Sequence, residues 1–462
     1  MVNLDVDVIV VGAGPAGENV AGRCADGGLT VAVVEHELVG GECSYWGCIP
    51  SKTLLRPGDV LAAARRVPGA AEAVTGGLDV AAAFAQRDYM TNNWNDASQV
   101  NWLEGIGVRF VRGSGRLVGE RVVEVTTPDG VSRLTAGRAV VLATGTRPAM
   151  PPVDGLRDVR PWDNRSVTAV KELPRRLLVL GGGAVGAEMA QGMRRLGCEE
   201  VTVVEGGARL LVREEPFAGD EVGAAFEAEG IRVVTGVHVT AVRRDGADGP
   251  VQATLDDGRT VTADEILVAV GRRPTTTDIG LDVVGLTPGK YIDVDGVMRA
   301  TGVPGGWLYA VGDCNGRALL THMGKYQGRL AADVILGRDT PPATDVVPRV
   351  TFTDPQVCAV GLTEAQAREE GLPVRAVTYP VGDVPGAYVQ GNGVTGTGKL
   401  VIDDQRRVIV GATFTGPAVQ ELLHSATVAI VGEVPVDKLW HAVASFPTVS
   451  EVWLHLLTAY GL

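Results

Sequence analysis

Two glycine turns of the same grammar constrain this chain more than any other feature. Asp5 to Val11 is an apolar, β-branched run that stops at Gly12, and Gly12-Ala13-Gly14-Pro15-Ala16-Gly17 then opens a helical stretch reaching Asp26. Leu29 to Glu35 reads as the next strand. The order returns later: Arg176 to Leu180 is a strand, Gly181-Gly182-Gly183-Ala184-Val185-Gly186 a turn, Ala187 to Leu196 a helix and Val201 to Glu205 a strand. A strand, a glycine turn and a helix N-terminus gather several backbone N–H groups around one point, which suits a pyrophosphate. An acid closes the second strand of each copy, Glu35 and Glu205, where a carboxylate can hydrogen-bond ribose hydroxyls. The first dinucleotide site is therefore assigned to Gly12, Gly14, Gly17 and Glu35, and the second to Gly181, Gly183, Gly186 and Glu205. Glu205 would repel a 2′-phosphate, which favours NADH; Arg209 nearby keeps NADPH open.

Between and beyond these units the patterning changes. Val108 to Val118, Arg121 to Thr127 and Ala139 to Ala143 read as β segments, and Pro148, Pro151 and Pro152 mark a linker. Arg232 to Leu255 and Ile266 to Val270 complete the second unit. Leu308 to Asp313 is a return strand, followed by a helix over Thr321 to Leu336. From Val347, strands around Arg349–Phe352, Lys399–Asp403 and Arg407–Thr415 alternate with helices around Glu364–Gly371, Ala418–Val431 and Pro435–Ser445, the pattern of a separate α+β domain. The fold class is thus α/β, with two Rossmann-like dinucleotide-binding domains and a C-terminal α+β domain.

Composition narrows the function. The formal net charge is −13, without a cluster of Lys and Arg, so nucleic acid and anionic membranes are poor partners. No stretch reaches the ~20 apolar residues that span a bilayer, and the N-terminal run lacks a signal-peptide pattern, so a cytoplasmic location is expected. Of the six cysteines, four are scattered and read as small buried residues. Cys43 and Cys48 differ. They lie in Gly40-Gly41-Glu42-Cys43-Ser44-Tyr45-Trp46-Gly47-Cys48-Ile49-Pro50-Ser51-Lys52, a glycine-rich approach to a helix. Two cysteines so spaced can close a small disulfide, and a helix N-terminus would lower a thiolate pKa. A metal site is disfavoured, because no second ligand pair has suitable spacing.

On this run, on Gly12/Gly14/Gly17, Ala143-Thr144-Gly145, the second glycine turn and Tyr309-Ala310-Val311-Gly312-Asp313, the whole chain resembles the pyridine nucleotide-disulfide oxidoreductases, the family of dihydrolipoamide dehydrogenase, glutathione reductase and mercuric reductase. The resemblance implies FAD on the first glycine turn, Glu35, Gly41, Thr144, Gly145 and Asp313, and the nicotinamide nucleotide on the second turn, Glu205 and Gly271. It implies a redox-active pair in which Cys48 is the charge-transfer thiolate and Cys43 the interchange thiol. Lys52 would stabilise negative charge near flavin N5 and pair with Glu188. Residues 1–150 and 273–345 would form the FAD domain, 151–272 the NAD(P) domain and 346–462 the interface of a homodimer, whose C-terminal segment completes the partner's site. NADH would reduce the flavin, and the cysteine pair would pass two electrons to an acceptor.

One position departs from the pattern. The family usually carries a His-Pro-Thr-x-x-Glu segment, in which the His is the acid–base group. Here the segment is Phe446-Pro447-Thr448-Val449-Ser450-Glu451. Glu451 remains, but Phe446 cannot move a proton, a loss of roughly 10²–10⁴-fold by general rule. His441 is a weaker substitute, and His322, His424 and His455 weaker still. The departure favours small-molecule acceptors that need no protonated leaving thiol: a quinone, a soft metal ion, or a disulfide with an acidic leaving thiol. Dihydrolipoamide dehydrogenase is disfavoured by Phe446, and mercuric reductase by the lack of a cysteine after Cys358. A dimeric scaffold with a structural flavin would need neither the cysteine pair nor Lys52.

Overall fold

The computed structural model describes residues 3–246 and 249–462, which form two compact units. Of these, the first comprises residues 3–50, 87–149 and 272–343; the second comprises 51–86, 150–246, 249–271 and 344–462.

The first unit is built on a seven-stranded sheet. Its order is Arg109–Arg112, Val31–Glu35, Asn3–Val11, Gly130–Leu142, Val122–Thr127 and Ser114–Gly119, with Leu308–Ala310 also paired to Gly130–Leu142. The strands around Asn3–Val11 are parallel, whereas the last two form an antiparallel meander. A parallel sheet is covered on both faces, so its central runs, Val8–Val11 and Val31–Val34, are apolar at every position. Alternate residues fill two different cores: Val8, Val10, Val33 and Val141 lie in one, and Ile9, Val11, Val34, Val140 and Leu142 in the other.

The second unit repeats this logic and adds a different one. A parallel sheet runs in the order Ile231–Thr235, Glu200–Glu205, Arg176–Leu180 and Glu265–Val268. A three-stranded antiparallel meander, Val239–Arg244, Val251–Leu255 and Thr260–Ala263, accompanies it. The C-terminal part is a five-stranded antiparallel sheet, ordered Arg349–Thr351, Gln356–Gly361, Val408–Gly416, Thr397–Asp403 and Val374–Pro380. Val419–Val431 and Val452–Tyr460 are helices whose apolar residues join its core.

The helix expected over Pro435–Ser445 is shorter, Val436–Leu439. Helical stability comes mainly from burying an apolar face. The residues that would continue it have none to bury: Val443 is 90% exposed and Phe446 73%.

In the two nucleotide units, strand tips and turns match atom for atom. The N–H of Gly12 donates to Val34 O and that of Gly181 to Val204 O, both at 2.8 Å. A Cβ on Gly17 would lie 2.0 Å from Gly12 O, and one on Gly186 would lie 1.9 Å from Gly181 O, so only glycine lets the helix sit against the turn. Gly186→Ala should therefore destabilise the protein by about 1–3 kcal/mol, as overpacking does. Thermal unfolding monitored by circular dichroism should show a lower midpoint, and an unchanged midpoint would contradict the close approach.

Candidate active site

Each glycine turn is braced by the acid that follows it. Glu35 accepts from the N–H of Ala13 at 2.8 Å and of Glu37 at 2.7 Å; Glu205 accepts from Gly182 and Gly207, both at 2.6 Å. Burial raises the Glu35 pKa, but hydrogen bonds from His36 and these N–H groups outweigh it and hold the carboxyl below its usual range. Both acids thus orient the turn. A Cβ on Gly14 or Gly183 would meet nothing within 4 Å, so the middle of each turn faces open space, as a cradle for a dinucleotide requires. These residues fit FAD on the first turn and a nicotinamide nucleotide on the second. Arg209, which kept NADPH open, instead donates to the carbonyls of Val212 (3.4 Å) and Glu214 (3.3 Å).

The sulfur site begins with the short helix Gly41–Tyr45, which carries Cys43, and the helix Cys48–Arg66, which starts at the second sulfur. The Cys48 Sγ lies 3.2 Å from the Thr321 hydroxyl. The expected lowering of a thiol pKa is reversed at Cys43. Its hydrogen bond with Cys48 and its burial push it up, while Thr321 and Lys325 pull it down. Once Cys48 bears the negative charge, a second thiolate beside it is costly.

Polar groups in the same unit converge on Asp313. The Thr146 hydroxyl donates to Asp313 Oδ2 at 2.7 Å, and Arg272 Nε donates to Thr146 Oγ1 at 2.7 Å. Arg272 also reaches Glu42 at 3.3 Å. Burial raises the Asp313 pKa, and the Thr146 bond and the Arg272 charge only partly offset it. Sequence reasoning missed Thr146, Arg272 and Thr321; for Arg272 the one available signal was its place directly after Gly271. Thr144 and Gly145 follow the strand Gly130–Leu142, and Gly145 O accepts from the N–H of Thr275 at 3.0 Å.

In the second unit, Lys52 Nζ lies 2.7 Å from Glu188 Oε2 and 4.9 Å from the centre of the Phe352 ring. Glu188 Oε1 accepts from the Phe352 N–H at 2.9 Å. Within the C-terminal part, Phe446 is exposed, and Glu451 Oε2 is buried without a hydrogen-bond partner among the described residues. His441 is exposed beyond the short helix.

Comparison with known proteins places this geometry. Residues 6–328 match the family described as Pyridine nucleotide-disulphide oxidoreductase, and residues 347–457 match its dimerisation domain. A mercuric reductase of Staphylococcus aureus is 30% identical over 451 residues, 97% of this chain and 81% of that protein. A dihydrolipoyl dehydrogenase of Chlamydia muridarum is 31% identical over 454 residues, 97% of this chain and 95% of that protein. LpdA from Mycobacterium tuberculosis shares the fold with a TM-score of 0.87 at 27% identity, covering 100% of both chains. The HOCl-induced flavoprotein disulfide reductase RclA from Escherichia coli, at 24% identity and a TM-score of 0.85, covers 98% of this chain and 99% of its own and shares the fold.

The Lys52–Glu188 pair is testable. Glu188→Gln keeps an acceptor for the Phe352 N–H but removes the charge that holds the ammonium. Rapid-mixing measurements should show flavin reduction by NADH slowed by about tenfold, alongside a lower melting temperature because Lys52 loses its charged partner. An unaltered rate would remove the pair from the redox machinery.

Proposed function

Given that this chain belongs to the pyridine nucleotide-disulphide oxidoreductases, and so binds FAD and uses NAD(P)H, we propose that it passes an electron pair through Cys43 and Cys48 to a small-molecule acceptor that needs no proton from an enzymic imidazole. The observation that carries this reading is an intact sulfur site combined with Phe446 where the family's acid–base His would stand. Quinones, soft metal ions and disulfides with acidic leaving thiols have that property.

In this reading residues 1–150 and 273–345 hold FAD, 151–272 hold the nicotinamide nucleotide and 346–462 form a homodimer interface. FAD held by the first glycine turn, Glu35 and Asp313 would supply a two-electron relay between the nicotinamide and the Cys43–Cys48 disulfide. The chain's own residues prepare that transfer. The two glycine turns and their acids bind and orient the dinucleotides. Thr321 holds the Cys48 sulfur through a hydrogen bond. Cys43, with its pKa raised, keeps its proton while Cys48 carries the charge. Lys52, one helical turn beyond Cys48, is kept in place by Glu188. Engagement of Arg209 with backbone carbonyls supports NADH as the preferred donor.

The exposed apolar side chains of the C-terminal part, Tyr388, Val389, Val443 and Phe446 among them, support a second copy of this chain as partner. No helix among the described residues is long and apolar enough to cross a membrane, in keeping with a cytoplasmic enzyme. A scaffold with a structural flavin is disfavoured by the Cys43–Cys48 pair and the Lys52–Glu188 ion pair.

Anaerobic titration of the purified protein with NADH should produce a long-wavelength charge-transfer band, lost in Cys48→Ser; a scaffold would give none. Steady-state assays should show turnover of a quinone or Hg²⁺ above that of lipoamide. Phe446→His should raise lipoamide turnover by about tenfold or more. Efficient lipoamide turnover by the unmodified enzyme would sink the acceptor reading.

A further inference from the structure

Two acids flank the first glycine turn. Gly41 lies so close to it that a Cβ there would come 2.9 Å from the Gly14 Cα, and a Cβ on Gly312 would come 3.0 Å from the Ala16 Cβ. The residue after each of these glycines is acidic, Glu42 in one case and Asp313 in the other. One guanidinium spans the two. Arg272 opens the short strand Arg272–Pro274, which runs antiparallel to Thr146–Pro148. Its Nη2 lies 3.3 Å from Glu42 Oε2, and its Nε lies 4.0 Å from Asp313 Oδ2. The side chains of Glu42, Arg272 and Asp313 stay partly exposed, at 28%, 24% and 26%, so none is sealed into the core.

This charge pattern runs against what a dinucleotide site needs. The amides and helix N-terminus of a glycine turn attract the pyrophosphate. A carboxylate beside that turn repels it. Asp313 has a place in the flavin reading, whereas Glu42 brings a negative charge that the reading does not use. Nor is Glu42 needed to hold Arg272. Thr146 does that independently, its Oγ1 accepting from Arg272 Nε at 2.7 Å and its carbonyl from Arg272 Nη2 at 2.9 Å.

We propose that Glu42 is a built-in brake on flavin binding: its carboxylate opposes the FAD pyrophosphate, Arg272 cancels that opposition, and the pair sets how tightly the cofactor is held. The proposal rests on the reading of the first glycine turn and Asp313 as the FAD site. Neither Glu42 nor Arg272 is a catalytic residue. The charges on the page agree with this arrangement. The Glu42 charge adds to burial in raising the Asp313 carboxyl, and Arg272 works against both, so the two acids sense each other across the guanidinium.

The test follows FAD release from the purified full-length holoenzyme after dilution, read as the rise in free-flavin fluorescence. At low ionic strength, Glu42→Gln should slow release by about two- to fivefold, and Arg272→Met should speed it by about tenfold, because charges of opposite sign are removed. The double variant Glu42→Gln/Arg272→Met should return to within about threefold of the unmodified enzyme, as should Arg272→Lys, which keeps the charge. Added salt should shrink every one of these differences. A purely structural role predicts other signs: Glu42→Gln would release FAD faster than the unmodified enzyme, and the double variant would lose it at least as fast as Arg272→Met. Either result overturns the inference, and so does an unchanged rate in Glu42→Gln, a measurement that stands even if Arg272→Met fails to fold. If Asp313→Ala holds FAD as firmly as the unmodified enzyme, the assignment of this site to FAD fails instead.

Discussion

The buried carboxylate of Glu188 is the constraint around which the second unit is arranged. A charge only 4% exposed must be paired and hydrogen-bonded. Lys52 and the Phe352 N–H satisfy it from two different stretches of chain. The same face of the helix Ala184–Leu196 continues the pattern. Gln191 exchanges two hydrogen bonds with the Asp354 backbone, at 2.8 and 2.9 Å. Arg195 binds Asp59, Glu229 and Asp354. On the helix Cys48–Arg66 the partners recur every seven residues: Lys52 with Glu188, Asp59 with Arg195, and Arg66 with Asp354. Positions 188 and 195 have the same spacing. Two helices with matching seven-residue repeats lie side by side, since that spacing returns each contact to one face. Leu55 packs where Gly192 leaves room, a Cβ there lying 2.8 Å from its side chain. The ion pairs therefore fix the register of the helix that begins at Cys48, and with it the place of Lys52.

How much of this the sequence disclosed depends on how local each signal was. The glycine turns were legible because strand, turn, helix and acid follow within some thirty residues. The parallel strands were legible as largely apolar runs, since both their faces are buried. The cysteine run declared itself through spacing, and the Lys52–Glu188 pairing through resemblance. Thr146 and Arg272 were not legible. Each is a single polar residue whose partners, Asp313 and Glu42, lie far away in the chain. Gln191 and Arg195, on the same face as Glu188, carry no such signal, because their partners Asp59, Glu229 and Asp354 lie far away in the chain. The helices Val80–Met90 and Ala97–Gly105 were missed because neither carries a strong apolar stripe. The helix expected over Pro435–Ser445 ends at Leu439, because the apolar content of residues 440–445 resembles a core face yet the fold leaves Val443 uncovered.

The segment around Phe446 separates two tasks that the family usually joins. Its frame is fully built. The Thr448 hydroxyl donates to Ser445 O at 2.6 Å, and Val449 is buried. Gly386 lies against the Thr448 backbone so closely that a Cβ would come within 1.9 Å of it. What is missing is the group the frame would present. An aromatic ring cannot share a proton with Glu451, and one oxygen of Glu451 has no hydrogen-bond partner among the described residues. On the proposed reading, electron transfer uses the cysteine pair, Thr321 and the ion-paired Lys52, and the Thr321 and Lys52 contacts are in place. Proton transfer at neutral pH depends on a group that titrates near 7, which this segment lacks. A site with the first capacity and without the second discriminates among acceptors by the basicity of what leaves. Thiolates of ordinary pKa need a proton to depart and are penalised. Acceptors whose reduced form is weakly basic, or is held by the sulfurs themselves, are not, and on the proposed reading one side chain turns the same scaffold toward different chemistry.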